Sequence, residues 1–185
     1  MSIPNMITLV RIVQTPIFVQ LYLEGEHSAA MMLLALAMLS DLLDGFIARN
    51  YNMITSLGKV LDPVADKLLQ LAMLLCLIER STGVLPLLLL HLMRELGLFA
   101  MGALAYRRTG RLIGAKWYGK ACSAVMYGVL GAALLWQDMP EAMLEQGILL
   151  CAVLVGYCIF RYAGEYMRVM KNPGEKNIPP YNGGI

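Results

Sequence analysis

Long apolar stretches separated by short polar links dominate the pattern of this chain. A helix that crosses a bilayer needs about 20 mainly apolar residues, and the apolar stretches are of that size. By this measure the pattern predicts helices near residues 6–23, 28–49, 57–79, 84–106, 116–137 and 143–168. We therefore expect an all-α integral membrane protein, a bundle of about six transmembrane helices.

The composition favours the same class of protein. Of the 185 residues, 58% are hydrophobic and only 15% are charged, an apolar excess that a soluble domain of this length does not need. The lipid bilayer is therefore the expected surrounding, and we expect no nucleic-acid partner. The four cysteines lie in apolar stretches without a C-x-x-C pair, so we interpret them as buried packing residues.

The chain is predicted to contain one membrane domain, over residues 1–170, and a tail over residues 171–185. The tail, KNPGEKNIPPYNGGI, is rich in proline, glycine and asparagine, which predicts a non-helical extension outside the bilayer. The N-terminal segment lacks the small-residue cleavage site of a signal peptide. We expect it to be retained as the entry into the first helix.

Basic residues are concentrated on alternate links. EGEH and QDMPEA carry no lysine or arginine, and ERSTG carries only Arg80, whereas RRTGRLIG and the C-terminal segment are basic. Cytoplasmic loops of membrane proteins carry the excess of lysine and arginine. Both termini and the links at 50–56 and 107–115 are therefore predicted to be cytoplasmic, in a cell membrane of the bacterial inner-membrane type.

Four aspartates stand at this cytoplasmic end of two successive predicted helices. Asp41 and Asp44 lie near the end of the second helix, and Asp62 and Asp66 lie near the start of the third. Spacings of three and four residues put each pair on one helix face. The short link NYNMITS makes the two helices antiparallel neighbours, so their acidic ends can converge on one cytoplasm-facing pocket.

Carboxylates held so close together repel one another unless a cation binds between them. Oxygen ligands without histidine or cysteine suit Mg²⁺ or Mn²⁺, which also engage substrate phosphates. The alternative is that the acids are solvated at the interface or paired with Lys59, Lys67 and Arg49. Charge at the edge of a membrane usually has a function, which favours the metal site.

The spacing of these residues resembles a known family signature. The stretch DLLDGFIAR, eight further residues and then GKVLDPVAD match D-x-x-D-G-x-x-A-R-x8-G-x-x-x-D-x-x-x-D at every fixed position. On this match the chain is identified as a member of the CDP-alcohol phosphatidyltransferase family. The motif covers only residues 41–66, and the predicted six-helix layout is similar to the family over nearly the whole chain.

The resemblance implies a membrane transferase that binds a CDP-linked lipid, usually CDP-diacylglycerol, passes its phosphatidyl group to an alcohol and releases CMP. It implies that Asp41, Asp44 and Asp62 hold a metal ion and that Asp66 contributes a ligand to a second, so that two Mg²⁺ or Mn²⁺ ions are bound. Asp66 would also be the catalytic base on the acceptor hydroxyl. The pocket for the nucleotide and diphosphate would be lined by Gly45, Ala48, Arg49 and Gly58.

Near the start, PNMITLVR resembles the family's entry helix, P-N-x-x-T-x-x-R. Asn5 and Thr8 are therefore candidate contacts of the CDP-lipid donor. The alternative is that they cap the first helix.

Basic residues in the second half of the chain are candidates for binding the acceptor: Arg94, Lys116, Lys120 and Arg161. Arg94 interrupts an apolar span, where an isolated cation is costly, so it either pairs with Glu95 or contacts a substrate phosphate. The two lysines either reflect the positive-inside bias or bind the phosphate of the acceptor. Arg161 is comparable, with Glu165 four residues on as a candidate partner.

The signature leaves the acceptor alcohol open. The short chain, the start IPNMIT and the basic segment 107–120 resemble the branch of the family that uses glycerol 3-phosphate, which is our leading interpretation. The stretch DLLDGFIARN also resembles the branch that uses phosphatidylglycerol and makes cardiolipin, which is the alternative. Family resemblance further suggests a homodimer.

Two functions outside this family also use acids in a membrane. A prenyl-transferring enzyme binds a diphosphate at aspartate-rich metal sites, but D-G-x-x-A-R is not its pattern. A cation transporter would place its acids nearer the midplane, along a pathway. The clustering of acids beside basic residues at one interface favours the transferase.

Overall fold

Only helices occur in the part of the chain that the computed structural model describes, residues 3–50, 58–109 and 117–171, with side chains at 6–40, 61–107 and 117–168. The helices are α1 (Ile3–Leu23), α2 (His27–Asn50), α3 (Gly58–Leu77), α4 (Val84–Thr109), α5 (Trp117–Leu135) and α6 (Glu141–Lys171). The all-α prediction is confirmed, and every predicted helix has a counterpart. The ends differ by a few residues because apolar length marks the hydrocarbon region, whereas a helix continues into polar sequence.

Four helices are long and apolar enough to cross a membrane, judged over the described residues: α1, α4, α5 and α6. In α2 the described apolar stretch is the shorter segment His27–Ser40. In α3 the first turns carry Asp62, Asp66 and Lys67. The chain is thus a membrane protein.

The described residues form two compact units. The first contains α1, α2 and α3 together with Leu130–Asp138, which includes the end of α5. The second contains α4, the earlier part of α5 and α6. Within the first unit α1 packs against both α2 and α3, and within the second α4 packs against α6.

A tight turn at Gly25 connects α1 to α2. Gly25 has a φ of 83°, in the left-handed region that a Cβ atom disfavours. Its N–H donates to the carbonyl of Tyr22, and the N–H of Glu26 donates to the carbonyl of Leu21, which is the Schellman pattern that ends a helix. Such a short connection makes α1 and α2 antiparallel neighbours. Because they have 21 and 24 residues, the C-terminal end of α2 returns to the level at which α1 begins.

One stripe of α1 is buried although much of it is polar. It comprises Thr8, Arg11, Thr15 and Phe18, at intervals of three or four residues. The hydroxyl of Thr15 donates a 2.9 Å hydrogen bond to the backbone carbonyl of Arg11, one turn earlier. Buried polar groups need partners, and the side chains of Thr8 and Arg11 find theirs on α3.

Small residues occupy buried positions on α2 and α3, the two helices that pack against α1. The buried positions of α2 include Ala30, Leu34 and Ala37, and those of α3 include Ala65 and Ala72. In a membrane, alanine at a helix interface lets two backbones approach, so that dispersion contacts replace the hydrophobic driving force that water would provide.

Arg80, three residues after the end of α3, contacts the end of α5 in the first unit. Its guanidinium donates to the carbonyl of Trp136 at 3.0 Å, and also to the carbonyls of Ala133 and Gln137. These carbonyls belong to the last turn of α5 and the residues after it, where a helix has no internal donors left. The single arginine of the link ERSTG therefore has a structural role as a cap on α5.

Close approach of α5 and α6 in the second unit depends on Gly147. A Cβ atom at this position would lie 2.8 Å from Cγ1 of Val129. The absence of a side chain at residue 147 therefore sets the distance between the two helices near that level.

Candidate active site

Two side chains of α1 engage the two aspartates of α3. The hydroxyl of Thr8 donates a 2.6 Å hydrogen bond to Oδ1 of Asp62. Nη1 of Arg11 lies 3.3 Å from Oδ1 of Asp66, as a hydrogen bond and ion pair. Both contacts advance in the same direction along the two helices, so α1 and α3 run parallel, and their first turns lie at one end of the first unit.

The α1 partners are buried, whereas the carboxylates are partly open. Thr8 and Arg11 are each 0% exposed. The side chain of Asp66 is 45% exposed, and Asp62 is half-buried. A buried cation is tolerated only with a partner, and a half-exposed carboxylate remains accessible to a ligand. This end of α3 can therefore present acidic oxygens while their other side is held from within.

The segment of α2 that carries Asp41 and Asp44 is helical and returns to this same end. The buried positions Ala30, Leu34 and Ala37 are spaced by four and three residues, and positions 41 and 44 continue that spacing. The antiparallel connection to α1 brings this part of the α2 backbone to the level of Thr8. The side chains at residues 41–50 lie outside the described part, so their convergence with Asp62 and Asp66 stays a prediction.

The chemistry of the described donors fits a divalent cation. Asp62 and Asp66 stand one turn apart on α3 and supply only carboxylate oxygens, the ligands that Mg²⁺ and Mn²⁺ prefer. The described side chains contain no group of three histidine, cysteine, aspartate or glutamate residues that could hold a metal ion. Asp41 and Asp44 are not among the described side chains. The four-aspartate cluster therefore remains a prediction.

The predicted donor-binding residues occupy the same helices. Gly58 is the first residue of α3, and the backbone of α2 continues to Asn50, through the positions predicted to contact the nucleotide: Gly45, Ala48 and Arg49. Asn5 lies in the first turn of α1, and its side chain is outside the described part. Thr8 is described, and its buried hydroxyl is directed to Asp62.

Arg94 of α4 forms the ion pair with Glu95 that was one of its two predicted roles. Nε and Nη2 of Arg94 lie 2.9 and 2.6 Å from Oε1 of Glu95. Nη1 of Arg94 lies 3.2 Å from the sulfur of Cys122, and Nη2 lies 3.5 Å from the hydroxyl of Ser123, both on α5. The arginine is 6% exposed, so these contacts neutralise a cation that the surroundings could not solvate.

Arg161 of α6 lies over the face of an aromatic ring on α5. Its Cζ atom is 5.7 Å from the ring centroid of Tyr118, within the range of a cation–π interaction. The ring of Tyr118 in turn packs against that of Tyr162, with centroids 4.8 Å apart. Arg161 is itself exposed. The aromatic pair therefore supports a guanidinium that a ligand can reach.

The three described acceptor candidates lie on three helices: Arg94 on α4, Lys120 on α5 and Arg161 on α6. Lys120 is exposed and stands two residues from Tyr118, which contacts Arg161, and two from Cys122, which contacts Arg94. Residues two apart do not share a helix face. Lys116, the remaining candidate, lies outside the described residues. Arg94 and Arg161 thus both contact the start of α5, whereas Lys120 is exposed on another face of that helix.

Arg11 is the residue that sequence reasoning missed. Arg11 is the arginine of the entry-helix pattern P-N-x-x-T-x-x-R, but no role in the site was predicted for it. Its spacing was nevertheless a signal, because it follows Thr8 by three residues on one helix face. An arginine in an apolar span requires an acidic partner, and the aspartates of the third helix were available.

Most of the sequence matches a known family. Residues 1–158 match the family model described as CDP-alcohol phosphatidyltransferase. The chain belongs to this family. CDP-alcohol phosphatidyltransferases act on CDP-diacylglycerol and an alcohol acceptor in a membrane and generally depend on a divalent metal. Membership confirms the transferase class that the signature predicted, over the two alternatives outside it.

Relatives in this family fall into two groups by name. A CDP-diacylglycerol–glycerol-3-phosphate 3-phosphatidyltransferase of Rickettsia typhi is 30% identical over 89% of the chain and 98% of the relative. A probable phosphatidylglycerophosphate synthase of Mycobacterium tuberculosis is 34% identical over 83% of the chain and 76% of the relative. A CMP-forming cardiolipin synthase of Streptomyces coelicolor is 40% identical over 55% of the chain and 50% of the relative.

Proposed function

We propose that the protein transfers the phosphatidyl group of CDP-diacylglycerol to glycerol 3-phosphate, which gives phosphatidylglycerophosphate and CMP. The observation that carries this proposal is the extent of the similarity to the Rickettsia typhi 3-phosphatidyltransferase, which spans 98% of that relative. The signature residues between Asp41 and Asp66 provide the donor chemistry, and the acceptor follows from relatives that align over most of the chain.

In this reaction the hydroxyl oxygen of the acceptor attacks the β-phosphorus of the donor. The bond between that phosphorus and the oxygen of CMP breaks, and CMP leaves. Asp66 takes the proton of the attacking hydroxyl, a role that needs a carboxylate within about 3 Å of that oxygen. The partly exposed position of Asp66 at the end of α3 supports this assignment.

Asp41, Asp44, Asp62 and Asp66 would hold Mg²⁺ or Mn²⁺, two ions in our proposal. Such ions neutralise the charge of the diphosphate and stabilise the leaving group. The contribution of the chain is to keep the acids in place, as Thr8 does for Asp62. The nucleotide and diphosphate would be bound by residues of α1, α2 and α3: Asn5, Thr8, Gly45, Ala48, Arg49 and Gly58.

The phosphate of the acceptor would be bound by Arg94, Lys116, Lys120 and Arg161. The exposure of Lys120 and Arg161 supports this role for these two residues. The pairing of Arg94 with Glu95 supports a structural role for Arg94 in addition.

The direct test uses purified protein in detergent micelles with CDP-diacylglycerol labelled in the lipid, and identifies the lipid product. We expect CMP release and phosphatidylglycerophosphate formation with glycerol 3-phosphate, in Mg²⁺ or Mn²⁺ but not in excess chelator. Parallel reactions receive phosphatidylglycerol, serine or inositol phosphate. No CMP with any acceptor and either metal would contradict the transferase itself.

Cardiolipin synthesis from phosphatidylglycerol is the second candidate. The identity to the Streptomyces coelicolor cardiolipin synthase favours it, although that alignment spans about half of each chain. The same acceptor panel separates the two functions. Cardiolipin as the product, with no reaction of glycerol 3-phosphate, would replace the first candidate by the second.

We further propose that both termini and the acidic site face the cytoplasm and that the protein is a homodimer. The distribution of lysine and arginine among the links supports the orientation. A reporter fused to the C-terminus that is active only in the cytoplasm tests it. The dimer rests on family resemblance, and a monomeric mass in mild detergent would contradict it.

A further inference from the structure

Arg11 is completely buried in the first unit and has a carboxylate partner on another helix. Its side chain is 0% exposed, while the side chain of its partner Asp66 is 45% exposed. The pair therefore differs from a surface ion pair, in which both groups are free to leave for water. Here the cation is confined between helices and the anion stands at the opening.

Arg11 lies in a buried polar stripe of α1 whose side chains at residues 8 and 11 contact α3. It lies on the buried stripe between Thr8 and Thr15, and its backbone carbonyl accepts the hydroxyl of Thr15 at 2.9 Å. One turn away, Thr8 holds Asp62. The contacts of Thr8 with Asp62 and of Arg11 with Asp66 together set the register of α1 against α3, so Nη1 of Arg11 presents a donor at a defined point.

We propose that Arg11 is a positioning residue, which holds Oδ1 of Asp66 and so fixes the orientation of this carboxylate for metal binding and for proton transfer. This inference rests on the proposed function, since it assigns Asp66 to that reaction. A partly exposed aspartate can otherwise occupy several side-chain rotamers. A donor fixed from the buried side selects one of them, as the groups behind metal ligands commonly do.

The alternative is that Arg11 only joins α1 to α3. The two roles differ in their effect on metal affinity. Removal of a nearby positive charge, by itself, would strengthen the binding of a cation. Loss of the fixed orientation would weaken it, by about 10- to 100-fold where groups behind a metal ligand have been replaced. The sign of the change therefore separates orientation from plain electrostatics and packing.

The experiment compares Arg11→Met, Arg11→Lys and Thr15→Val with the unaltered full chain in detergent. Thr15→Val is the matched control, because it removes a buried polar group of the same stripe that touches no carboxylate side chain. Binding of Mn²⁺ to the substrate-free protein is measured by electron paramagnetic resonance, and kcat and KM are measured in the CMP-release assay.

We expect Arg11→Met to raise the Kd for Mn²⁺ and to lower kcat, each by about tenfold or more, with KM for both substrates changed by less than about threefold. Arg11→Lys keeps the charge and should recover part of both losses, while Thr15→Val stays within about twofold of the unaltered protein. Unchanged or tighter Mn²⁺ binding in Arg11→Met, or equal losses in Thr15→Val, would overturn the proposal.

A thermal-unfolding cycle with Arg11→Met, Asp66→Asn and the double variant tests the pair without any substrate. Coupling between the two residues predicts that the double variant loses less stability than the sum of the single losses. Additive losses would overturn the proposal even if the enzyme is active. If the unaltered chain releases no CMP but the coupling and the Mn²⁺ effect are present, the proposed function fails and the positioning of Asp66 stands.

Discussion

The hydroxyl of Thr8 donates a 2.6 Å hydrogen bond to Oδ1 of Asp62, which is 54 residues further along the chain. Thr8 is 0% exposed, so this hydroxyl is directed into the interface of α1 and α3. A hydrogen bond to a charged acceptor is among the stronger ones in proteins, and leaving the acceptor without it is costly. This contact makes α1 part of the acidic site.

Replacing Thr8 by valine should therefore disturb Asp62 and lower stability. Loss of one hydrogen bond to a charged group is expected to cost about 1.5–3 kcal/mol, at the lower end because Asp62 is half-buried. Thr8→Ser keeps the hydroxyl and should recover most of that loss in thermal unfolding. If Thr8 instead serves chiefly as a nucleotide contact, the thermal midpoints of Thr8→Val and Thr8→Ser will both match that of the unaltered protein. Only KM for CDP-diacylglycerol will then rise.

Asp66→Asn should abolish turnover and leave donor binding largely intact. The substitution keeps the size of the side chain and removes its capacity to take the proton of the acceptor, an effect of about 10²- to 10⁴-fold on kcat. Turnover is measured by CMP release, and donor binding by equilibrium binding of CDP-diacylglycerol. An equal loss of both would indicate that Asp66 is chiefly a metal ligand, and full activity would exclude it from the reaction.

The six helices could be predicted from the sequence because apolar length is a local property. The buried stripes also repeat at three and four residues, so the shared face of Asp62 and Asp66 was readable from their spacing. The contacts that hold these acids could not be read in this way. These contacts join residues that are 54 and 55 positions apart in the sequence. The register between two helices depends on how their side chains pack, which cannot be deduced from the spacing of residues within one helix.

The cations show the same limit. Arg94 and Glu95 are adjacent in sequence, and their ion pair was one of the two predicted roles. For Arg161 the sequence offered Glu165, which lies one turn later on the same helix. The structure adds the ring of Tyr118 from α5, a contact between helices that the i to i+4 rule does not address.

The side chain of Lys120 should contribute to acceptor binding through its charge. Lys120→Ala is expected to raise KM for glycerol 3-phosphate about tenfold, equivalent to about 1.4 kcal/mol, with little change in KM for CDP-diacylglycerol. Arg168→Ala is the matched control, because Arg168 is an exposed cation of α6 outside the proposed site. Equal KM values in the two variants would contradict a role of Lys120 in phosphate binding.

Arg94 and Glu95 should behave as a coupled pair. Arg94→Met leaves the mostly buried Glu95 carboxylate without its main cation, which is expected to cost about 3–5 kcal/mol of stability. Adding Glu95→Met should restore most of the thermal midpoint, since two apolar side chains replace two paired charges.

Kinetics of the double variant then decide the second role of Arg94. If the restored protein has an unchanged KM for glycerol 3-phosphate, Arg94 is a structural residue only. A KM raised about tenfold or more in a protein of restored stability would support a contact with the acceptor. Failure of the second substitution to restore stability would contradict the pairing.

Gly119 is expected to be required for the support beneath Arg161. A Cβ atom at this position would lie 2.5 Å from the hydroxyl oxygen of Tyr162, so Gly119→Ala must displace that ring. Tyr162 packs on Tyr118, and the ring of Tyr118 lies beneath the Arg161 guanidinium. The substitution should therefore lower stability by about 1–3 kcal/mol and raise KM for the acceptor.

Gly128→Ala is the matched control on the same helix, since a Cβ there meets no described atom within 4 Å. Alanine at position 128 should stabilise α5 by about 0.5–1 kcal/mol, because glycine is unfavourable inside a helix. The two variants are therefore predicted to shift the thermal midpoint in opposite directions. A shift of the same sign and size in both would mean that the approach of Tyr162 to Gly119 does not constrain the second unit.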